Sequence, residues 1–211
     1  ADSDPDAEAA VAAIRAGDPT TLARILAARP DLARVRVPGY RGRTMLHIAT
    51  DWPASYPGIA DTVQLLVTSG ADVNARGVGG EGETPLHWAA SSDDVAAIDA
   101  LLDAGADIDA PGAVIGGGTP LNDATAFGQW QAARRLVERG ATASAWDDAA
   151  LGRTEEVRRH VQAGTDTVLG ELLWAACHGG QSETAAFLVG ARADIGWVGY
   201  DGLTPLGAAE R

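Results

Sequence analysis

Asp123, Asp147 and His178 are the side chains of this chain best placed to move protons. Superposing its self-similar segments aligns Ile48, Trp88, Asp123, Asp147, Trp174 and Ala208 in one row. Packed helices lie about 8–10 Å apart, so the row sets two carboxyl groups side by side with an indole on each flank. A carboxyl walled by tryptophan is desolvated and its pKa rises while its neighbour stays ionised, which gives the acid and the base of a proton-driven reaction. Dehydration, isomerisation or cyclising addition on a bulky small molecule needs no more than such a pair. One helical turn onward, a second row holds Asp51, Ser91 with Ser92, Ala126 with Phe127, Ala150 with Leu151, and Cys177 with His178. Trp52, Trp88, Ser91, Phe127 and Trp174 are the expected contact residues of the resulting trough. The plainer reading of the same rows is that the indoles fill space between helices and the aspartates are solvated surface.

Other chemistries find less support. Cys177 and His178 are adjacent, and neighbours on a helix point about 100° apart, a poor start for a thiol–imidazole pair. With Cys177 the only cysteine, there is neither a disulfide nor a thiolate metal cage. The glycine-rich stretches 77–82 and 112–118 lack both the preceding strand and the Gly-Lys-Ser/Thr ending of a phosphate cradle, and read as loop tips. No cofactor and no metal is expected.

Composition narrows the class. Ala, Leu, Val and Gly dominate and only 5% of residues are aromatic, which suits short, closely packed helices joined by glycine turns. A net charge of -13 with no cluster of basic residues argues against nucleic acid as a partner. No apolar run approaches the roughly 20 residues that span a bilayer, so no membrane association is expected. The single cysteine fits a reducing cytoplasm, and an export leader trimmed ahead of Ala1 would leave no trace.

The elements that must position these residues recur along the chain. VQLLVTSGADVNA from Val63, IDALLDAGADIDA from Ile98 and ARRLVERGATASA from Ala133 are three copies of one helix ending, with Gly70, Gly105 and Gly140 spaced by 35 residues. Upstream of each stands a helix start: Thr44-Met45-Leu46-His47-Ile48-Ala49, Thr84-Pro85-Leu86-His87-Trp88-Ala89 and Thr119-Pro120-Leu121-Asn122-Asp123-Ala124. Threonine caps the helix and proline pre-sets its first φ. On these motifs the chain closely resembles the ankyrin-repeat family, with Thr204-Pro205-Leu206 as a partial last copy. The resemblance implies an all-α solenoid of helix-turn-helix units with finger loops. It also implies that His47 and His87 hydrogen-bond neighbouring turns instead of acting in catalysis.

The expected organisation is one domain: a capping pair over 1–36, full repeats over 37–76, 77–110 and 111–145, shortened repeats over 146–168 and 169–196, and a partial repeat over 197–211. Four departures stand out. Asp51 to Ile59 lengthen one link and carry Trp52 and Tyr56. The unit after Gly140 reaches its closing Gly164 in 24 residues, so a finger is missing there. Arg192 replaces the turn glycine, and Asp148 replaces a small buried alanine. The resemblance implies a binding module that holds a protein or peptide in its groove; the acidic charge favours a basic or amphipathic segment, anchored by Trp52, Trp130 or Trp197. The alternative is the acid-base enzyme built on Asp123, Asp147 and His178. A closed pocket of about 300 Å³ or more over the two aspartates would distinguish the enzyme from an open trough.

Overall fold

The computed structural model describes residues 4–37, 42–53, 55–77, 82–164 and 168–210. Most of the tip of the 77–82 loop lies outside the described residues. Within them the chain folds into thirteen α-helices and no strand. Six are paired with the helix that follows: α1 (Pro5–Ala16) with α2 (Pro19–Ala28), α3 (Met45–Ala49) with α4 (Ile59–Thr68), α5 (Pro85–Ser91) with α6 (Val95–Asp103), α7 (Pro120–Ala126) with α8 (Trp130–Glu138), α9 (Ala145–Ala150) with α10 (Thr154–Ala163), and α11 (Leu169–His178) with α12 (Ser182–Gly190). A lone α13 (Pro205–Ala209) ends the series.

Odd-numbered helices stack on one another from α1 to α13, and the even-numbered helices form a second layer behind them. Each short first helix is fixed by its cap. The Thr119 hydroxyl accepts from the Asn122 amide, the Ser144 hydroxyl from the Asp147 amide and the Thr204 hydroxyl from the Gly207 amide, which satisfies donors a helix start otherwise leaves free. In α5, α7 and α9 the third helical residue reaches back to the cap as well, completing a capping box.

The apolar core falls into two clusters. One runs from Ala7 to Leu136 and the other begins at Ala149. Buried polar residues stand near this division: Thr125 on α7 and Asp147 and Asp148 on α9. The division coincides with the shortened unit, whose first helix α9 has 6 residues where α5 and α7 have 7.

Second helices end as the spacing requires. Gly70, Gly105 and Gly140 take φ of 98°, 91° and 99°, a region where a Cβ clashes with the backbone. Arg192 holds the same turn at φ 66°. Its amide donates to Val189 O just as that of Gly140 donates to Val137 O. The strained arginine loses on the order of 1–2 kcal/mol that glycine would not. Arg192→Gly is therefore expected to stabilise the protein by about 0.5–1 kcal/mol after the added freedom of the unfolded chain is subtracted. Urea denaturation with an unchanged m-value measures this directly; equal or lower stability would show that the turn carries no strain.

Candidate functional site

The third residue of α3, α5 and α7 reaches across to the unit that follows. His87 Nδ1 accepts from the Thr84 amide at 3.1 Å, so the neutral ring carries its proton on Nε2, 3.4 Å from Gly118 O. His47 repeats this with Thr44 Oγ1 at 2.8 Å and Glu83 O at 3.2 Å. Burial, the largest cause, pushes both imidazoles down to about 4, so both are neutral at pH 7 and committed to the fold. In the next unit Asn122 donates through Nδ2 to Asp147 Oδ2 at 2.8 Å.

Register corrects two expected positions. Trp174 is 1% exposed, and its Nε1 donates to Leu203 O, the residue ahead of the Thr204 cap, at 3.1 Å. It thus fills the role of His47 and His87 and cannot meet a ligand in the trough. Asp147 likewise sits at the third position of α9, not one further on. Its oxygens accept from the Ser144 amide (2.9 Å) and hydroxyl (2.6 Å), from Asn122 and from the Thr125 hydroxyl (2.6 Å). All four bonds hold α9 to its cap and to α7, which leaves no free oxygen for a general base. The loss of one residue from α9 is the physical reason: counting from the cap and counting from the helix end now give different rows.

Asp123 meets a different carboxyl. It is fully buried, and among the described residues no donor meets hydrogen-bonding geometry with either of its oxygens. Burial pushes its pKa up to about 8, and the neighbouring Glu83 carboxyl adds to the rise; the Val114 amide, close by, acts weakly the other way. Glu83 in turn accepts from Trp88 Nε1 at 2.9 Å. The pair is therefore Asp123 with Glu83, and Trp88 orients the half-buried member. Glu83 was legible: it is an acid in the position just before a cap threonine, where the other copies have Arg43, Gly118 and Leu203.

Asp148 is 3% exposed and pairs with Arg153 at 2.8 Å and with His160 Nε2 at 3.1 Å. Burial nevertheless raises its pKa, Arg153 opposing. His178 lies among indoles, with ring centroids 5.0 Å from Trp174, 5.2 Å from Trp130 and 6.4 Å from Trp146, and its Nε2 is 3.2 Å from Thr125 O. It is not brought to Asp123 by any of these contacts. The Cys177 thiol is half-buried and pushed up by that burial, away from thiolate chemistry.

Of the expected contact residues, Trp52 is 78% exposed and Phe127 45%. Trp88 is half-buried under the Arg43 guanidinium, 4.5 Å above its ring, and the Ser91 hydroxyl donates to Trp88 O at 3.1 Å. Trp130 and Trp197 are half-buried, not exposed: Trp130 packs on His178, and the Trp197 side chain covers Gly170.

Three small open pockets line the face made by the first helices and the loops before them. One of about 220 Å³ is bounded by Gly42, Arg43, His47, Gly77, Glu83 and Trp88. A second, of about 190 Å³, adjoins Asp51, Trp52, Ser91 and Ser92 and shares Arg43, Glu83 and Trp88 with the first. The third, about 180 Å³, lies beside the shortened unit between Ile115, Asn122, Ala126, Trp146, Glu171 and Tyr200. Tyr200 reaches over it, its hydroxyl donating to Ala126 O at 3.1 Å. Neither Asp123 nor Asp147 lines any of the three, so none of them is the single larger pocket expected over both aspartates. No cluster of three or more His, Cys, Asp or Glu able to hold a metal occurs among them either, and no helix is long and apolar enough to cross a membrane.

Capped helix pairs, stacked in two layers and tied by third-position side chains, define a helical repeat solenoid. The family model for ankyrin repeats (3 copies) matches residues 54–147. Human Rabankyrin-5 is 43% identical over 60 residues, which is 28% of this chain and 4% of that protein. The crystal structure of the human ASB11 ankyrin repeat domain superposes with a TM-score of 0.57 over 98% of this chain and 91% of that one, at 21% identity. Residues 54–147 thus match ankyrin repeats, and the described chain as a whole has the fold of an ankyrin-repeat solenoid.

The buried Asp123 has a measurable signature. Its neutral form is favoured in the fold, so the folded state binds more protons than the unfolded state between the ordinary carboxyl value of 3.8 and about 8. The corresponding stability is fully present below pH 3.8 and is lost as pH rises through about 8. Asp123→Asn, which stays neutral throughout, should melt higher than the parent at pH 8–9, and the advantage should fade toward pH 4. A melting-temperature difference that stays constant across that range would mean Asp123 is ionised in the fold.

Proposed function

We propose that the protein is a binding module that holds its partner along the first-helix face, and that the partner offers a basic or amphipathic segment. Ankyrin repeats are protein-binding modules, and a rigid stacked array supplies a surface that needs little ordering on association. The observation that carries the finer reading is the composition of that face. Exposed Trp52, Phe127 and Tyr200 alternate along it with the acidic Asp51, Glu83 and Glu171, which line its pockets. Aromatic anchors with carboxylates between them suit a segment carrying both apolar and cationic side chains. Trp52, Trp88, Ser91 and Phe127 are its contact residues on this reading. The chain contains 16 arginines and lysines together against 29 acids, so charge steers a basic partner toward it.

A second reading is favoured by one observation, the buried Asp123 set against Glu83 behind a pocket wall. A carboxyl pair that retains a proton near neutrality is a general acid in waiting. Pockets of about 180 to 220 Å³ restrict its substrate to something smaller than the bulky molecule the sequence suggested.

Titration of the protein with a synthetic basic amphipathic peptide, followed by tryptophan fluorescence, tests the first reading. Binding should weaken steeply with added salt, should be absent for a charge-reversed acidic peptide, and should fall by roughly 30-fold in Trp52→Ala, the size of an aromatic hot spot. Equal affinity for the basic and acidic peptides would refute it.

A further inference from the structure

Arg43 lines both of the pockets that meet at Glu83, and its guanidinium lies 4.5 Å above the Trp88 ring, so the aromatic face there already has its cation. The pocket beside the shortened unit has the rings and the carboxyl without the cation. Ser144 caps α9 directly after the Gly140 turn, without the finger that separates Gly105 from Thr119. Ile115 from the loop before α7 and Tyr200 from the loop before α13 therefore border one space of about 180 Å³, with Asn122, Ala126, Trp146 and Glu171. No Lys, Arg or His lines it, and among the described residues no base pairs with the half-buried Glu171 carboxyl.

The aromatic walls are braced from behind. Trp174, 1% exposed and bonded through Nε1 to Leu203 O, stacks on Trp146 with centroids 6.3 Å apart and meets Tyr200 at 5.2 Å. Tyr200 nevertheless keeps 59% of its surface exposed. Both rings thus rest on one buried indole, and the aromatic surface exists before any ligand arrives. The other polar groups of the lining are committed. Asn122 Nδ2 donates to Asp147 Oδ2 and its Oδ1 accepts from the Thr119 amide, each at 2.8 Å, while the Tyr200 hydroxyl donates to Ala126 O.

Aromatic faces attract positive charge, and a carboxyl alongside adds to that attraction. A primary ammonium suits this pocket poorly, because it brings three N–H donors and loses water that the bonded lining groups do not replace. A quaternary ammonium carries the same charge on C–H groups that pack against rings and asks for no hydrogen bond. We propose that this pocket binds a quaternary ammonium head group, with Trp146 and Tyr200 as its aromatic walls and Glu171 as its counter-ion. The proposal goes beyond the partner-binding reading: it concerns one head group in one pocket, and Trp52, Asp51 and Glu83 take no part in it.

The test titrates the full chain with choline and with 3,3-dimethylbutan-1-ol, in which carbon replaces the charged nitrogen. Calorimetry and the indole N–H resonances report binding. Choline is expected to saturate with a Kd on the order of 1 mM or lower, and the neutral isostere to bind at least about 10-fold more weakly. The Trp146 resonance should move while those of Trp52 and Trp88, which line the other pockets, stay in place. Glu171→Gln and Tyr200→Leu replace side chains outside the core, so each should melt cooperatively like the parent and bind choline about 5- to 10-fold more weakly. A peptide carrying trimethyllysine tests the other source of the same head group. Affinity well above that of choline, lost in the unmethylated peptide, assigns the cation to a partner's side chain; affinity equal to that of choline assigns it to a free small molecule. Equal binding of choline and its neutral isostere overturns the proposal, as does a Trp146 resonance unmoved by choline or undiminished binding in both variants. If choline fails while a basic amphipathic peptide still binds, the partner-binding reading stands without this site.

Discussion

Single contacts set how units sit on one another: in α3, α5 and α7 the third-position side chain reaches across to the following unit, and in α11 Trp174, the sixth residue of that helix, does the same. His47 meets Glu83 O, His87 meets Gly118 O, Asn122 meets Asp147, and Trp174 meets Leu203 O. The hydrophobic driving force between helices is non-directional, whereas a hydrogen bond between buried groups is lost outright when its partners move apart. The net value of each bond is only about 1 kcal/mol, but breaking one strands a polar group in the core at a cost of about 1–3 kcal/mol. Register is therefore enforced more by the penalty for misalignment than by the strength of the bond. Everything on the first-helix face, including the meeting of Glu83 and Asp123, inherits its position from this series.

Local signals carried the fold. Turn glycines 35 residues apart and threonine caps are backbone requirements, and the conformations at Gly70, Gly105, Gly140, Thr119 and Thr204 follow from them. The site was less legible, because it depends on where helices begin and end to within one residue. Dropping a residue from α9 put Asp147 in the histidine position, and starting α11 early did the same for Trp174. Aligning the helix ends hid the shift in α9, and aligning the alanines hid the one in α11. Asp123 kept its place, but its partner comes from the loop before α5, and a row drawn along first helices alone could not contain Glu83.

Four polar residues on α7 and α9, Asp123, Thr125, Asp147 and Asp148, are buried. A buried carboxylate costs several kcal/mol unless paired and hydrogen-bonded, so three acids here demand explanation. Asp147 is repaid by four donors and Asp148 by Arg153 and His160. Asp123 has no such compensation and holds a proton instead. The first two serve the joint between full and shortened units. An asparagine or an alanine at position 123 would serve that joint as well, since the side chain bonds nothing across it; what distinguishes the aspartate is the proton beside Glu83.

Shape bears on the choice between a peptide and a small molecule. Because the unit after Gly140 lacks a finger, a continuous trough would open there, yet Tyr200 closes it by bonding Ala126 O from the far side of the gap. The face is thereby divided into compartments of about 180 to 220 Å³ instead of one long channel. A peptide must span several compartments and depends on the rims between them, above all Trp52, Phe127 and Tyr200, where exposed rings give area at little entropic cost. A small molecule needs only the two compartments that join at Glu83, and Trp52 borders one of them as well as forming a rim.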